Sequence, residues 1–225
     1  MTSVLKFTVV TAAALVCAAT LQAWQSGAAP QTIDLAERLA AGKLRVVNRE
    51  ATAIKDRPGA IHLTGSPGNG FAWIDGTDFG EGTIEVDIRG RDVMQQSFVG
   101  IAFHGKDDKT YEAVYLRPFN FRSPDPTRHQ HAVQYIAMPD YDWPRLRKEF
   151  PEEFENPVDP SLSPTDWVPV KVVVQGAKIQ IHAGPVQAPT LEVRKLGQLG
   201  RGVVGVWVGN TSEGDFANVR LTPAK

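Results

Sequence analysis

His104, Glu112 and Arg117 are the residues of this chain best equipped to move a proton or hold a charge within one short span. An imidazole titrates near neutral pH and a carboxylate beside it raises its pKa, so a histidine–glutamate pair can act as acid and base. Arg117, at the end of its strand, can reach solvent or a carboxylate. With His131 as a further member, such a set suits hydrolysis or elimination on a sugar derivative. A second group lies at Asp140-Tyr141-Asp142-Trp143-Pro144-Arg145-Leu146-Arg147. The ring of Tyr141 or Trp143 can stack on the apolar face of a pyranose while Arg145 and Arg147 bond its hydroxyls. Asn120, His131 and Gln134 add polar groups to the same ligand-binding set. The competing reading is that Trp143 pins its loop to the body and the arginines pair with Glu149, Glu152 and Glu153.

These residues need strands and turns to position them. Phe98–His104 reads as a strand with Val99, Ile101 and Phe103 on one face. Gly100, Ala102 and His104 fall on the other, and their small size leaves room above the sheet for a ligand or a crossing loop. Asp107-Asp108 marks a hairpin turn, and Thr110–Arg117 returns as a strand. Alternation puts Tyr111, Ala113, Tyr115 and Arg117 on one face and Glu112, Val114 and Leu116 on the other. Either face can be the buried one; Glu112 meets His104 only if the two share a side. His129 and His131, at i and i+2, are read as neighbours on one strand face. Together with Asp140 they would suffice for an open metal site, but the spacing is loose and no metal is expected.

Along the rest of the chain, Thr32–Ala41 has helical spacing, with Thr32 or Asp34 as cap and Gly42 as stop. Gly82–Gly90 is the clearest strand: Ile84, Val86 and Ile88 alternate with Glu85, Asp87 and Arg89. Met138–Asp166 is proline-rich and has no sustained period, as functional or mobile segments do. Trp167–Gln175, Lys178–Ala183, Leu191–Val193, Gly202–Gly209 and Phe216–Leu221 then read as strands. Many short strands with Gly/Pro punctuation and one weak helix predict an all-β fold, a two-sheet antiparallel β-sandwich.

The tail from Trp167, with Gly176-Ala-Lys-Ile-Gln-Ile-His, Gly205-Val-Trp-Val-Gly and Asp215-Phe-Ala-Asn-Val-Arg, resembles concanavalin A-like lectin/glucanase domains. Asp78–Ile88 and Val99–His104 resemble central strands of that superfamily, most similar to its 3-keto-disaccharide hydrolase branch of secreted bacterial proteins. The resemblance spans roughly residues 44–221. It implies a jelly roll with carbohydrate on the concave face or at its rim, and a structural calcium ion is compatible with it, although no loop demands one. Glu85 and Asp87 share a face as in laminarinase-type glucanases, but Arg89, Gly90 and Arg91 stand where the further glutamate belongs, so that two-carboxylate chemistry is not implied.

Composition limits the rest. Residues 1–23 run basic, apolar and then small, the layout of a secretory signal peptide, with cleavage as late as residue 28. The only cysteine, Cys17, lies inside it, and Val16 before it argues against lipidation. The remainder, 30–225, is expected to be one cysteine-free domain in the periplasm or outside the cell. The formal net charge is −1 and contains no polybasic block, so neither nucleic acid nor a membrane surface is expected as partner. Carbohydrate is the expected partner, and no feature selects an oligomeric state. The leading reading is a carbohydrate-binding or accessory module; the alternatives are a glycoside hydrolase or lyase and a structural sandwich.

Overall fold

The computed structural model of the protein describes residues 29–224, and the segment read as a signal peptide lies outside them. The N-terminal part contains β1 (Gln31–Ile33), α1 (Leu35–Ala40), β2 (Leu44–Val47), β3 (Ala51–Ala53), β4 (Ile61–Leu63) and β5 (Gly70–Ile74). The middle contains β6 (Gly82–Arg89), β7 (Val99–Gly105), β8 (Tyr111–Leu116), α2 (Pro126–Gln130), β9 (Val133–Met138), α3 (Trp143–Glu149) and β10 (Glu155–Asn156). The C-terminal part is all strand: β11 (Val168–Gln175), β12 (Lys178–Ala183), β13 (Leu191–Arg194), β14 (Val203–Val208) and β15 (Gly214–Pro223). Two antiparallel sheets result. One runs β13-β12-β11-β6-β15-β4-β3, with β1 added to β15; the other runs β10-β9-β8-β7-β14-β5-β2. This is the two-sheet sandwich that the short alternating strands predict.

The first sheet shows why alternation was informative. Ile84, Val86 and Ile88 of β6 lie opposite Val172, Val170 and Val168 of β11, and all six are buried. Burying each such side chain stabilises the fold by roughly 1.5–3 kcal/mol. Glu85, Asp87 and Arg89 take the outward face, where Asp87 accepts from Arg57 at 2.6 Å and from Asn218 at 2.7 Å. The second sheet is different, because β7 and β8 are buried on both faces. Val114 and Leu116 turn inward, beside Ile101 and Val99. Tyr111 and Tyr115 turn outward under a layer of aromatics: Phe71 stacks on Trp73 at 4.8 Å, Tyr111 meets Phe71 edge-on at 5.1 Å, and Tyr115 meets Trp207 at 4.9 Å.

That layer fills the space expected above Gly100. Gly100 lies between Tyr115 of β8 and Trp207 of β14, its partners in register on either side. A Cβ on Gly100 would stand 2.6 Å from the Tyr115 Cβ and 2.1 Å from the Val114 carbonyl. The missing side chain lets two large rings from flanking strands close over the central one.

Three local expectations are corrected. Gln31–Ile33 pairs with β15, so the helix is shorter than Thr32–Ala41 and is capped by Asp34, whose Oδ1 accepts from the Glu37 N–H at 2.7 Å. The segment Met138–Asp166 contains α3 and β10. Asp142 caps α3 and Pro144 occupies its first turn, where a missing N–H costs nothing. The histidine pair is not on a strand: His129 lies in α2 and His131 at its C-cap.

Gly100→Ala is expected to destabilise the protein by about 1–3 kcal/mol through overpacking, read as a lower denaturant midpoint at unchanged slope.

Candidate functional site

His104 and Glu112 do meet, by a route that simple alternation does not give. Between β7 and β14 the register passes from Ala102 opposite Gly205 to Gly105 opposite Val203, so β7 carries one extra residue. His104, with φ of 50°, takes up that bulge in a left-handed conformation. Its ring is re-aimed from the Gly100–Ala102 face onto the Glu112 carboxylate, with Nδ1 2.7 Å from Oε1. Nε2 donates to the Gly80 carbonyl at 2.8 Å. The Tyr135 hydroxyl donates to Glu112 Oε2 while accepting from the Leu196 N–H at 3.0 Å. Burial and the facing carboxylate push the Tyr135 phenol far above its ordinary pKa. His104 and Glu112 are 1% and 2% exposed, and every side-chain nitrogen and oxygen of the pair has a protein partner.

Arg117 lies at the opposite end of β8 and joins a different cluster. Its Nη2 donates to the Tyr115 hydroxyl at 2.8 Å and to Gln134 Oε1 at 2.5 Å, and its Nη1 to the His131 carbonyl at 2.9 Å. The organising anion is Glu155 of β10, 2% exposed. Arg147 grips it in bidentate fashion at 2.9 and 2.7 Å, His131 Nε2 lies 3.1 Å away, and Arg117 is at 3.7 Å. Burial pulls the Arg117 guanidinium below and pushes the Tyr115 phenol above their ordinary values. Burial also lowers the His131 pKa, outweighing the nearby Glu155 charge that raises it.

Above this cluster, on the outward face of the second sheet, lies a groove. One hollow of about 310 Å³ is lined by Met94, Phe98, Asn120, His131, Trp143 and Arg147, together with Arg117 and Arg128. An adjoining hollow of about 220 Å³ shares Phe98, Trp143 and Asn210 with it and is floored by Tyr115 and Trp207. Met94 and Trp143, 44% and 48% exposed, are the exposed large hydrophobic residues among the described residues, and both line this groove. Asn120 is buried. Its amide nitrogen donates to the His131 carbonyl at 3.2 Å, while Oδ1 has no partner among the described residues. Gln134 Nε2, beneath the floor, also lacks one.

The structure therefore divides the candidate residues. Arg117, Asn120, His131, Trp143 and Arg147 come together at the groove, with Gln134 below them. Tyr141 and Arg145 instead line a hollow of about 260 Å³ that also reaches His104 and Glu112. Arg145 is occupied there, stacked on Tyr141 at 4.7 Å and paired with Glu149 at 3.0 Å. Arg147 does not use Glu149, Glu152 or Glu153; its carboxylate is Glu155, which local sequence does not distinguish from them. Met94, in a polar loop, carried no signal beyond its own hydrophobicity. Among the described residues no group of three or more His, Cys, Asp or Glu side chains is placed to hold a metal ion, and no helix is long and apolar enough to cross a membrane.

With the fold and these sites in view, the chain is a two-sheet antiparallel β-sandwich, and it can be set beside known proteins. No family model and no curated protein matches the sequence. Among solved structures it is similar to the carbohydrate binding module CBM66 from Bacillus subtilis, with TM-score 0.56 and 15% identity over 80% of this chain and 95% of that one. It is likewise similar to a Bacillus subtilis protein of unknown function with a galectin-like fold, with TM-score 0.57 and 13% identity over 85% and 94%. The carbohydrate recognition domain of Emp46p matches with TM-score 0.52 and 12% identity over 86% and 97%. At these identities the likeness is one of fold.

Glu112→Ala is expected to cost about 3–5 kcal/mol of stability, since it strands a buried imidazole and a buried phenol; chemical denaturation measures this. His131 gives a pH dependence. Its folded pKa lies below the ordinary 6.5, so on acidification the unfolded chain takes up the proton first. Its contribution is fully present above pH 6.5 and is lost as pH falls through the lower folded value. The unfolding midpoint should drop over that window, and by less in His131→Gln.

Proposed function

We propose that this protein is an exported carbohydrate-binding sandwich that receives a sugar in the groove between Met94 and Trp143. One observation carries the reading: among the described residues, the two exposed large hydrophobic side chains line a single groove whose walls also hold arginines and a buried amide oxygen without a partner. Apolar surface left in water is costly unless something covers it. A pyranose covers an aromatic ring with its C–H face and still presents hydroxyls in the ring plane, so it can cover Trp143 and donate to Asn120 Oδ1 together. The fold shared with a carbohydrate binding module and a carbohydrate recognition domain is consistent with this use. The basic–apolar–small order of residues 1–23 supports export to the periplasm or beyond. The hydrolase reading has less support, because His104 and Glu112 spend their polar atoms on Gly80, Tyr135 and each other.

A glycan array probed with the protein lacking residues 1–23 tests the proposal, and retention of at least one oligosaccharide class is expected. Trp143→Ala should weaken that retention by about tenfold, the loss of a ring contact worth roughly 1–1.5 kcal/mol, with the melting temperature unchanged. Retention equal to wild type would take the groove out of the binding site.

A further inference from the structure

The two ends of the groove differ in charge. Toward Trp207 the lining is aromatic and includes one carboxylate, Asp142, whose Oδ1 is committed to the Arg145 N–H at 3.0 Å. Toward Asn120 the lining holds Arg117, Arg128, Arg147 and His131, and no carboxylate. We propose that the sugar bound here carries an anionic group, a ring carboxylate or a sulfate ester, seated at the arginine end of the groove. The inference rests on the carbohydrate reading and specifies the chemical class of its ligand.

Counting charges sets how much is left for a ligand. Glu155 lies beneath the arginines and Asp125 lies 3.6 Å from Arg128. These two offset two of the three guanidinium charges, and the third has no counter-charge in the groove. The donors are also unevenly spent. Arg147 gives Nε and Nη2 to Glu155, while its Nη1 has no protein partner among the described residues. Its guanidinium lies over one face of the Trp143 ring, 5.0 Å from the ring centre, which leaves the opposite face for a sugar to stack on. Arg128 remains mostly exposed, held only by the long Asp125 contact.

A neutral sugar would cover these guanidinium groups and remove their water while offering only weak acceptors in exchange. A carboxylate or sulfate replaces that water with charge-assisted hydrogen bonds, which are roughly twice as strong as neutral ones. Asn120 Oδ1 needs a donor, and a ring hydroxyl supplies it. An acidic pyranose thus matches all three features: C–H face on Trp143, hydroxyl on Asn120, anion on Arg147 and Arg128. A bare phosphate or carboxylate would match the arginines alone.

The test is an array of matched neutral, uronate-bearing and sulfated oligosaccharides, followed by calorimetry on the best of each set. Acidic members should bind about tenfold or more tightly than their neutral counterparts, as expected for hydrogen bonds to a charged group, and lose affinity as salt is raised. Arg147→Gln should remove most of that preference. Because this change also uncovers Glu155, Arg128→Gln on exposed α2 serves as a second variant, with a loss of about threefold for one exposed charge. A stronger signal from uronates than from sulfates, or the reverse, identifies the anion. Equal binding of neutral and acidic members, or wild-type preference in Arg128→Gln and Arg147→Gln, would overturn the anionic assignment and leave the carbohydrate reading standing. An array blank in every class would remove both.

Discussion

A single buried carboxylate, Glu155, holds together the walls of the groove on the second sheet. It sits on β10, at the edge of the second sheet, and receives Arg147 from α3, His131 from the C-cap of α2 and, at longer range, Arg117 from the end of β8. An anion so deeply buried is tolerated only when its charge and its lone pairs are met, and here the Arg147 and Arg117 guanidinium groups supply the charge with the His131 ring beside them. The short helices that form one side of the groove therefore have fixed places on a sheet that they would otherwise only graze.

The ends of β8 show two outcomes of the same constraint. At one end, His104, Glu112 and Tyr135 satisfy one another and the backbone of Gly80 and Leu196, which leaves a closed network. At the other, Arg117 and Glu155 anchor a network that stays open, since Asn120 Oδ1 and one edge of Arg147 are left over beneath an exposed tryptophan. A fully satisfied network rigidifies the fold, whereas the leftover atoms of the second belong to residues that line the groove. Ionisable residues alone do not tell the two apart, and the count of leftover donors and acceptors does.

How much of this was legible in the sequence follows from the range of the interactions. The sandwich was, because Ile84-Val86-Ile88 and the valines of β11 show their buried face in their own spacing. Trp143 and Arg147 stood out as an aromatic and a cation in a loop full of carboxylates. The position of His104 was not legible, since a bulge set by pairing with β14, about a hundred residues away, shifts the ring to the other side of the strand. Glu155 was equally hidden among neighbouring glutamates, because only its pairing with Arg147, His131 and Arg117 in the folded chain gives it a role. Both faces of β8 being buried was also invisible, as period-two reasoning assumes one wet face, and the cover comes from β5 and β14.

The tie from Arg147 to Glu155 has a consequence for binding thermodynamics. Trp143 stands at the start of a seven-residue helix that is too short to persist by its own hydrogen bonds. Leu146, buried under it, and Arg147 lock that helix to the sheet before any ligand arrives. The aromatic wall is thus already ordered, and the conformational entropy of placing it is charged to folding rather than to association. A site of this kind can hold a small ligand with few contacts and release it quickly.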